Sequence, residues 1–259
     1  MFVIKIGGSV ITDKSKKYFF KQNIMNNLAS EIKKSNKQII LVHGAGSFGH
    51  ILAKEYSLNE GFKEKNQLIG FSNTHAMVQD LNSLVLKELQ NEGISAISIP
   101  PHAFLKLNNH QPEVSDLSMF NDYLNLGFSP LTFGDVVLDK KLGFSICSGD
   151  LLVLLIARYF KPEKVIFVID EDGLFTSNPK IDKNARFIEK STIEELEDLT
   201  TKLDSHDDVT KGMEGKIDTI KYIANLGIDN ILLNGNINNR LYDTLIGNET
   251  KSTTIHGGN

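Results

Sequence analysis

Two glycine-rich turns near the start of the chain have the composition of phosphate-binding loops. The first is Lys5-Ile6-Gly7-Gly8-Ser9, and the second runs from His43 to His50; each follows a short apolar run. Glycines at a strand end let backbone N–H groups approach phosphate oxygens without a Cβ in the way. Neither turn ends in the Gly-Lys-Ser/Thr of a Walker A loop. An ordinary tight turn would explain either one alone, but the pair favours an anion site.

The second turn leads into a predicted helix, whose N-terminal N–H groups also attract anions. His50 is expected about one turn into that helix, where it could face the loop. A histidine there can donate a hydrogen bond to a phosphate or position a reacting oxygen. A packing or surface histidine is the alternative interpretation.

Charged residues accompany three later turns. The segment Asp208–Lys216 contains Gly212 and runs into a helix, so Lys216 could neutralise a transferred group; an exposed, charged helix entry is the alternative. Asp150, after Ser148 and Gly149, either caps the next helix or holds lysines in position. The segment Asp170–Gly173 is either a turn or a loop at the edge of a nucleotide site.

Lysines and glycine loops without a compelling acid–base pair fit phosphoryl transfer. That reaction depends mainly on positioning and on positive charge around an anionic transition state. An acceptor that is already an ionised phosphate has little need of a strong base. Mg²⁺ is implied because ATP carries it, although the sequence shows no dedicated metal cage.

Composition excludes several other classes of function. The 259 residues are 41% hydrophobic and 23% charged, which is ordinary for a globular protein, and the net charge of −4 argues against nucleic-acid binding. The single cysteine, Cys147, permits neither an intramolecular disulfide nor a cysteine metal cluster. The N-terminus does not read as a signal peptide, and the apolar window Leu151–Ala157 is too short to span a membrane. We expect a cytoplasmic protein with no membrane partner.

Short β-branched runs alternate with segments of helical period, which predicts an α/β fold with a mainly parallel sheet. The predicted strands are Phe2–Ile6, Gln38–His43, Ala96–Ile99, Pro130–Phe133, Lys164–Ile169 and Asn230–Leu233. The predicted helices are Lys21–Lys34, Ser47–Tyr56, Asn73–Glu92, Asp150–Tyr159, Thr192–Lys202 and Lys216–Leu226. Gly134–Cys147 is predicted to be a hairpin, and Thr192 with Glu195 predicts a capped helix start.

Taken together, these segments resemble the amino acid kinase superfamily, and within it the isopentenyl phosphate kinases. The resemblance spans nearly the whole chain. Its landmarks are Lys5–Lys14, His43–His50, Gly134–Val136, Ser148–Asp150, Ile169–Phe175 with Asn178-Pro179, Asp208–Lys216 and Asn234-Gly235. The resemblance implies one domain over residues 1–259, an open αβα sandwich and a homodimer. It also implies transfer from ATP to isopentenyl phosphate, a step of isoprenoid biosynthesis by an alternative mevalonate route.

The resemblance also implies roles for individual residues. Residues 1–147 would form the acceptor-phosphate side and residues 148–259 the nucleotide side. The residues that would perform or support the transfer are Lys5, Lys14, His50, Asp150 and Lys216. ATP would be bound by Lys5, Gly7, Gly8, Ser9, Gly46, Asp170, Phe175, Lys180, Gly212 and Lys216. The acceptor would be bound by Ala45, His50 and Gly149.

Two positions depart from the family pattern. Lys211 stands where the family usually has a glycine, and Asn178 stands where an aspartate is common before proline. The first departure could add a phosphate contact or alter the loop, and the second weakens one expected nucleotide interaction.

Two other functions remain open. A fosfomycin-type kinase, or another kinase of small phosphates or phosphonates, would share the glycine loops and the histidine. An isoprenoid acceptor needs an apolar cavity, for which Ile51–Tyr56 and Phe71–Val85, with Met77, are candidates unless they are plain helix core. A non-catalytic nucleotide-binding regulator is the alternative of a different class, and the set of lysines with His50 and Asp150 argues against it.

Overall fold

The computed structural model describes residues 1–13, 15–177, 179, 181–196 and 211–258, without the side chains of residues 114 and 211–214. The strands are β1 Phe2–Ile6, β2 Ile39–His43, β3 Ala96–Ser98, β4 Leu105–Asn108, β5 Gln111–Ser115, β6 Ser129–Phe133, β7 Asp135–Asp139, β8 Gly143–Cys147, β9 Lys164–Ile169, β10 Leu174–Phe175, β11 Phe187–Ile188, β12 Lys190–Ser191, β13 Asp229–Asn234 and β14 Ser252–Ile255. The helices are α1 Gly8–Ile11, α2 Gln22–Ser35, α3 Gly46–Glu55, α4 Asn66–Asn91, α5 Ser118–Asn125, α6 Gly149–Phe160, α7 Lys211–Ala224 and α8 Arg240–Ile246. Residues 193–196 are also helical, and Leu58–Glu60 and Pro101–Ala103 form 3₁₀ turns.

The central sheet has eight strands in the order β12-β14-β13-β9-β1-β2-β6-β3. Its pairs are parallel except for β13 with β14. Buried residues form two large clusters, one on each face of this sheet. Helices α5, α6 and α7 contribute to the first cluster, and α2, α4 and α8 contribute to the second. The predicted mainly parallel αβα sandwich is therefore confirmed.

Alternation along β1 decides which side chains meet which helices. Val3 packs in the first cluster, whereas Ile4 and Ile6 pack in the second. Because successive side chains on a strand point to opposite faces, Lys5 shares the face of Val3 and points toward the layer that contains α6.

The remaining strands form smaller sheets. β7 and β8 are an antiparallel hairpin, as predicted for Gly134–Cys147, and they join β4 and β5 in a four-stranded sheet of order β5-β4-β7-β8. β10 pairs with β11 in a two-stranded sheet. The strands β4 and β5 and the helices α5 and α8 were not predicted.

Two helices begin earlier than the sequence predicts, and glycines explain both errors. α4 begins at Asn66 rather than Asn73. A Cβ at Gly70 would lie 2.2 Å from Cγ of Tyr56, so this glycine allows close packing inside a helix rather than ending one. α7 begins at Lys211 rather than Lys216, because Gly212 and Gly215 lie in its first turns.

The predicted helix start at Thr192 is present, although residues 197–202 lie outside the described part of the chain. The backbone N–H of Thr192 donates to Glu195 Oε2 at 3.0 Å, and the N–H of Glu195 donates to Thr192 Oγ1 at 3.3 Å. This reciprocal pair is a capping box. Among the described residues, no helix is long and apolar enough to span a membrane.

The carboxylate of Asp139 connects the β4–β5 turn to the β7–β8 turn. It accepts hydrogen bonds of 2.8–3.0 Å from four backbone N–H groups and one hydroxyl, those of Asn109, His110, Lys141, Leu142 and Ser145. Burial raises the pKa of Asp139, but these hydrogen bonds outweigh it and hold the pKa well below its ordinary value.

We expect Asp139→Ala to lower the free energy of unfolding by at least about 2 kcal/mol, because four backbone N–H groups and the buried Ser145 hydroxyl lose their acceptor. Urea denaturation at pH 7 measures the change. Asp122→Ala, at an exposed position of α5, is the control and should have almost no effect. Since the folded pKa of Asp139 is depressed, the difference between wild type and Asp139→Ala should be full above about pH 4 and shrink at lower pH. Equal stability of Asp139→Ala and Asp122→Ala would contradict this account.

Candidate active site

The centre of the site is an ion pair between the carboxyl end of β1 and the N-terminus of α6. Lys5 is 7% exposed, and its Nζ donates to Asp150 Oδ1 at 2.6 Å. Asp150 is not the residue that caps α6. The N-cap is Ser148, whose hydroxyl accepts from the N–H of Leu151 at 3.1 Å. The Asp150 carboxylate is thus available to hold a lysine.

A second lysine reaches the same carboxylate oxygen. Lys216, in α7, places its Nζ 3.4 Å from Asp150 Oδ1 and 5.7 Å from the centre of the Phe167 ring. Lys216 is 9% exposed. One carboxylate therefore holds two largely buried ammonium groups, and the three charges leave a surplus of one positive charge for an anion.

The pKa values in this cluster reflect burial and the two like charges. Burial, together with the charge of Lys216, lowers the pKa of Lys5 to about 8, although Asp150 partly offsets both effects. Burial raises the pKa of Asp150, but the charges of Lys5 and Lys216 outweigh this, so the pKa lies below its ordinary value. Asp150 stays ionised at neutral pH, while Lys5 can lose its proton under mildly alkaline conditions.

The two glycine turns touch each other beside this cluster. β1 and β2 are neighbouring parallel strands, so the turns that follow them lie at the same edge of the sheet. A Cβ at Gly8 would lie 2.5 Å from the backbone N of Gly46, and a Cβ at Gly44 would lie 2.7 Å from the N of Gly8. No side chain fits at these points. Gly149 packs against the same region, where its Cβ would lie 3.2 Å from Cε of Lys5.

Thr12 holds the two turns together. Its hydroxyl donates to the carbonyl of Gly8 at 2.7 Å and accepts from the N–H of Ser47 at 3.1 Å. Gly46 has a positive φ of 52°, and a Cβ there would lie 2.3 Å from Thr12 Oγ1. This position therefore requires glycine for both its conformation and its close contact.

Two further interactions connect the first turn to its surroundings. The hydroxyl of Ser9 donates to Asp170 Oδ1 at 2.9 Å, which connects the turn to the end of β9. Lys21 Nζ donates to the carbonyl of Ser9 at 2.9 Å. The first turn is therefore held from both sides.

Asp172 anchors the loop after β9. It receives Arg240 at 2.7 Å, Lys251 at 2.6 Å and the amide of Asn234 at 3.2 Å. The hydrogen bond from Lys251, followed by those from Arg240 and Asn234, lowers the pKa of Asp172 to about 2 against the opposing effect of burial. The ion pairs of Asp172 with Arg240 and Lys251 thus hold the loop that begins at Asp170.

The second glycine turn leads into α3, whose first turn contains the buried hydroxyl of Ser47. Ala45 is the N-cap of α3, and the hydroxyl of Ser47 is buried without a hydrogen-bond partner among the described residues. His50 lies one turn into α3 and is exposed, as the sequence predicts for its position. A Cβ at Gly49 would lie 2.6 Å from Cβ of Ala45, so α3 is packed tightly on its own first turn.

The structure brings together most of the residues singled out in the sequence. Lys5, Asp150 and Lys216 form one cluster, Gly8 contacts Gly46, and Ser9 contacts Asp170. Phe175 lies in β10, where its ring is 5.5 Å from that of Phe187. Lys14, Lys180 and Asn178 lie outside the described residues, and the side chains of 211–214, including Lys211, are not described. Gly7 lies between β1 and α1, and its N–H donates to the carbonyl of Val168 at 2.8 Å.

Sequence reasoning missed three contributors, namely Thr12, Lys21 and Arg240. A hydroxyl four residues after a glycine turn is one signal that could have identified Thr12, since helical spacing returns it to the turn. Lys21 is the N-cap of α2, 12 residues after Ser9, and Arg240 opens α8, 68 residues after Asp172; no local pattern marks either contact.

We expect binding of inorganic tripolyphosphate at pH 8 to take up part of a proton, because the anion stabilises the charged form of Lys5. Calorimetry in buffers of different ionisation enthalpy measures this uptake. Lys5→Arg keeps the charge but cannot lose its proton at this pH, so its uptake should be smaller than that of the wild type. Equal uptake by both proteins would show that the Lys5 pKa does not lie near 8.

Comparisons with known proteins identify the family of this chain. A family model described as the amino acid kinase family matches residues 1–234. The isopentenyl phosphate kinase of Methanothermobacter thermautotrophicus is 37% identical over 266 residues, covering 99% of each chain. That of Methanocaldococcus jannaschii is 33% identical, covering 98% of this chain and 97% of its own.

Solved structures show the same likeness. One described as X-ray structures of isopentenyl phosphate kinase has a TM-score of 0.87 and 33% identity, covering 98% of this chain and 99% of its own. The isopentenyl phosphate kinase product complex of T. acidophilum has a TM-score of 0.84 at 28% identity, covering 99% and 100%. The chain belongs to the amino acid kinase family.

Proposed function

We propose that the protein transfers the terminal phosphoryl group of ATP to isopentenyl phosphate, giving ADP and isopentenyl diphosphate. The observation that carries the proposal is the Lys5–Asp150–Lys216 cluster beside two touching glycine turns. It supplies positive charge and backbone N–H groups where two phosphates could meet. The choice of acceptor follows from the relatives named isopentenyl phosphate kinase, which match along nearly the whole chain.

On the nucleotide side, Lys5 and Lys216 contact the ATP phosphates, and Asp150 positions both lysines. Gly7, Gly8, Ser9 and Gly46 shape the phosphate loops around them. Asp170, Phe175, Lys180 and Gly212 bracket the nucleotide. Lys14 stabilises the transition state. The support for Lys5 and Lys216 is their shared carboxylate, and the support for Lys14 is the family pattern alone.

On the acceptor side, His50 holds the acceptor phosphate together with Ala45 and Gly149. The N-terminus of α3 favours an anion because its first N–H groups have no helical acceptor. The buried Ser47 hydroxyl, which has no hydrogen-bond partner within the described residues, offers an additional donor at this point. Residues 1–147 then form mainly the acceptor side and residues 148–259 the nucleotide side.

The transfer itself needs no strong general base. An oxygen of the ionised acceptor phosphate attacks the γ-phosphorus of ATP, and the bond from that phosphorus to the β–γ bridging oxygen breaks. ADP carries away the electron pair of the broken bond. Positive charge from the two lysines stabilises the anionic transition state and the departing oxygen, which is the main demand of phosphoryl transfer.

Mg²⁺ is part of the proposal as an ion that arrives with ATP. When bound, it would neutralise part of the charge on the phosphates. The residues fit an ion held mainly by phosphates and water, because Asp150 Oδ1 is engaged by two lysines and Asp170 Oδ1 by Ser9. Asp170, which contacts Ser9 of the first turn, would be the protein's contribution.

An apolar cluster adjacent to α3 supports an isoprenoid tail. Ala53 and Tyr56, on the turns of α3 that follow His50, pack with Phe71, Val136 and Ile146. By contrast, Met77 packs against the core beneath the central sheet, so this part of α4 is helix core rather than a pocket wall. We place the tail at the apolar cluster of Ala53, Tyr56, Phe71, Val136 and Ile146. The homodimer remains a prediction from the resemblance, and the cytoplasmic location remains a prediction from the sequence pattern.

The acceptor is tested by measuring ADP release with Mg-ATP and isopentenyl phosphate, longer prenyl phosphates, fosfomycin or no acceptor. We expect selective turnover of isopentenyl phosphate, because the phosphate would bind at α3 and a five-carbon tail at the apolar cluster. Selective turnover of fosfomycin would refute this acceptor, and ATP turnover that no acceptor stimulates would refute the transfer.

We expect His50→Ala to lower kcat/KM for the acceptor by at least about tenfold and to leave the Kd of ATP nearly unchanged, because the proposal assigns His50 to the acceptor phosphate and not to ATP. Lys216→Ala should instead lower turnover with every acceptor. Steady-state kinetics and nucleotide titration measure the two effects. His256→Ala, at an exposed position after β14, is the control. Equal losses of ATP binding and acceptor use in His50→Ala would rule out the separate acceptor role.

A further inference from the structure

Three potential metal ligands converge away from the lysine cluster. They are His75 in α4, His102 in the 3₁₀ turn Pro101–Ala103, and Asp135 at the start of β7. Their ligand atoms all lie within 4.8 Å of one another, and this is the single group of at least three such residues in the described ranges. We propose that these side chains form a binding site for a divalent transition-metal ion, with Zn²⁺ as the best match.

The distances suit an ion placed between the three side chains. His75 Nδ1 lies 2.6 Å and His102 Nδ1 lies 4.0 Å from the same oxygen, Asp135 Oδ2. Zinc bonds of about 2.0–2.2 Å in a tetrahedron place ligand atoms roughly 3.3 Å apart. Changes of about 0.7 Å in the two nitrogen–oxygen distances, and of at most about 1.5 Å between the two nitrogens, therefore bring all three ligand atoms to bonding distance. Two imidazoles and a carboxylate are a common ligand set for zinc.

The Asp135 carboxylate is buried, and a buried charge is costly unless it is paired or bound to a metal ion. The side chain of Asp135 has 0% exposure, whereas those of His75 and His102 are 27% and 44% exposed. Asp135 Oδ1 accepts from the N–H of Val136 at 2.8 Å, which fixes the carboxylate and leaves Oδ2 directed at the two rings. The His102 side is open to solvent, so an ion can enter and keep a water molecule as its fourth ligand.

A neighbouring residue can orient one of the rings. The side-chain amide of Gln79 lies 2.7 Å from His75 Nε2, the ring nitrogen that faces away from Asp135. The contacting atom of Gln79 is its nitrogen Nε2. When His75 binds a metal through Nδ1 and its Nε2 carries the proton, a flip of the Gln79 amide by about 180° would bring the amide oxygen into place to accept that proton's hydrogen bond. This partner is typical of metal-bound histidines, whose second nitrogen is almost always hydrogen-bonded. Gln79 is therefore a positioning residue.

Metal binding would connect three separate elements. The ion would join α4, the 3₁₀ turn and the first residue of the β7–β8 hairpin. Asp135 follows Gly134, whose Cβ would lie 3.1 Å from the backbone N of Gly149. The proposed metal site thus lies next to the edge where α6 begins, yet it uses none of the residues assigned to phosphate binding and does not depend on the proposed reaction.

The test is titration of the full chain with ZnCl₂, and with CoCl₂ followed by its visible absorption, without nucleotide. We expect one ion per chain, a raised melting temperature with Zn²⁺ but not with Mg²⁺, and cobalt bands of a four- or five-coordinate site. His102→Ala removes an exposed ligand without opening the core and should weaken binding at least about tenfold. Gln79→Ala should weaken it less, and His256→Ala should bind as the wild type does.

Two results would overturn the proposal. Failure of the wild-type chain to bind Zn²⁺ or Co²⁺ would leave the cluster as a hydrogen-bonded histidine–aspartate pair. Unchanged affinity in His102→Ala would place any bound ion elsewhere. Asp135→Asn provides a second variant, because it keeps the size of the side chain and an acceptor for Val136 while weakening the metal ligand.

Discussion

The buried carboxylate of Asp150 is the interaction on which the site depends. Two ammonium groups, those of Lys5 and Lys216, lie within 3.4 Å of a single oxygen of this side chain. In a low-dielectric interior, two such charges without a counter-ion would repel each other and lose protons. Asp150 reduces that repulsion and fixes the direction of both lysines. One positive charge remains unbalanced within the cluster, which is the feature on which the proposed phosphate site depends.

Backbone contact between the two glycine turns provides the second constraint. β1 and β2 are parallel neighbours, so their turns must share one edge of the sheet, and ligands of open α/β sheets bind at that edge. Side chains at Gly8 or Gly44 would force the turns apart. Thr12 bonds both turns, so their separation is set by hydrogen bonds as well as by sterics. The two turns consequently have a fixed separation at the edge of the sheet where Lys5 ends β1.

Much of the fold could be predicted from the sequence because the central strands have strong local signals. β1 and β9 have the predicted bounds, since continuous β-branched runs are typical of strands buried on both faces. β4 and β5 were missed because they are short and partly exposed, and their pairing depends on Asp139, which lies 30 residues after the turn residue Asn109. The start of α4 was predicted too late because of Gly70, since a glycine that permits close packing cannot be distinguished in the sequence from one that ends a helix.

The sequence indicates which residues form the candidate site but not which of them contact each other. Glycine turns and nearby lysines indicate phosphate chemistry by local composition. Asp150 lies 145 residues after Lys5 and 66 residues before Lys216, so no local sequence pattern indicates that both lysines contact it. The two histidines of the second turn illustrate the same limit. His43 is fully buried, stacked on Phe133 and hydrogen-bonded to Gly44, and burial lowers its pKa to about 4, so it is neutral at physiological pH. His50, one turn into α3, is exposed to solvent. Burial, rather than residue type or spacing, therefore decides which histidine of the motif is structural and which is available for chemistry.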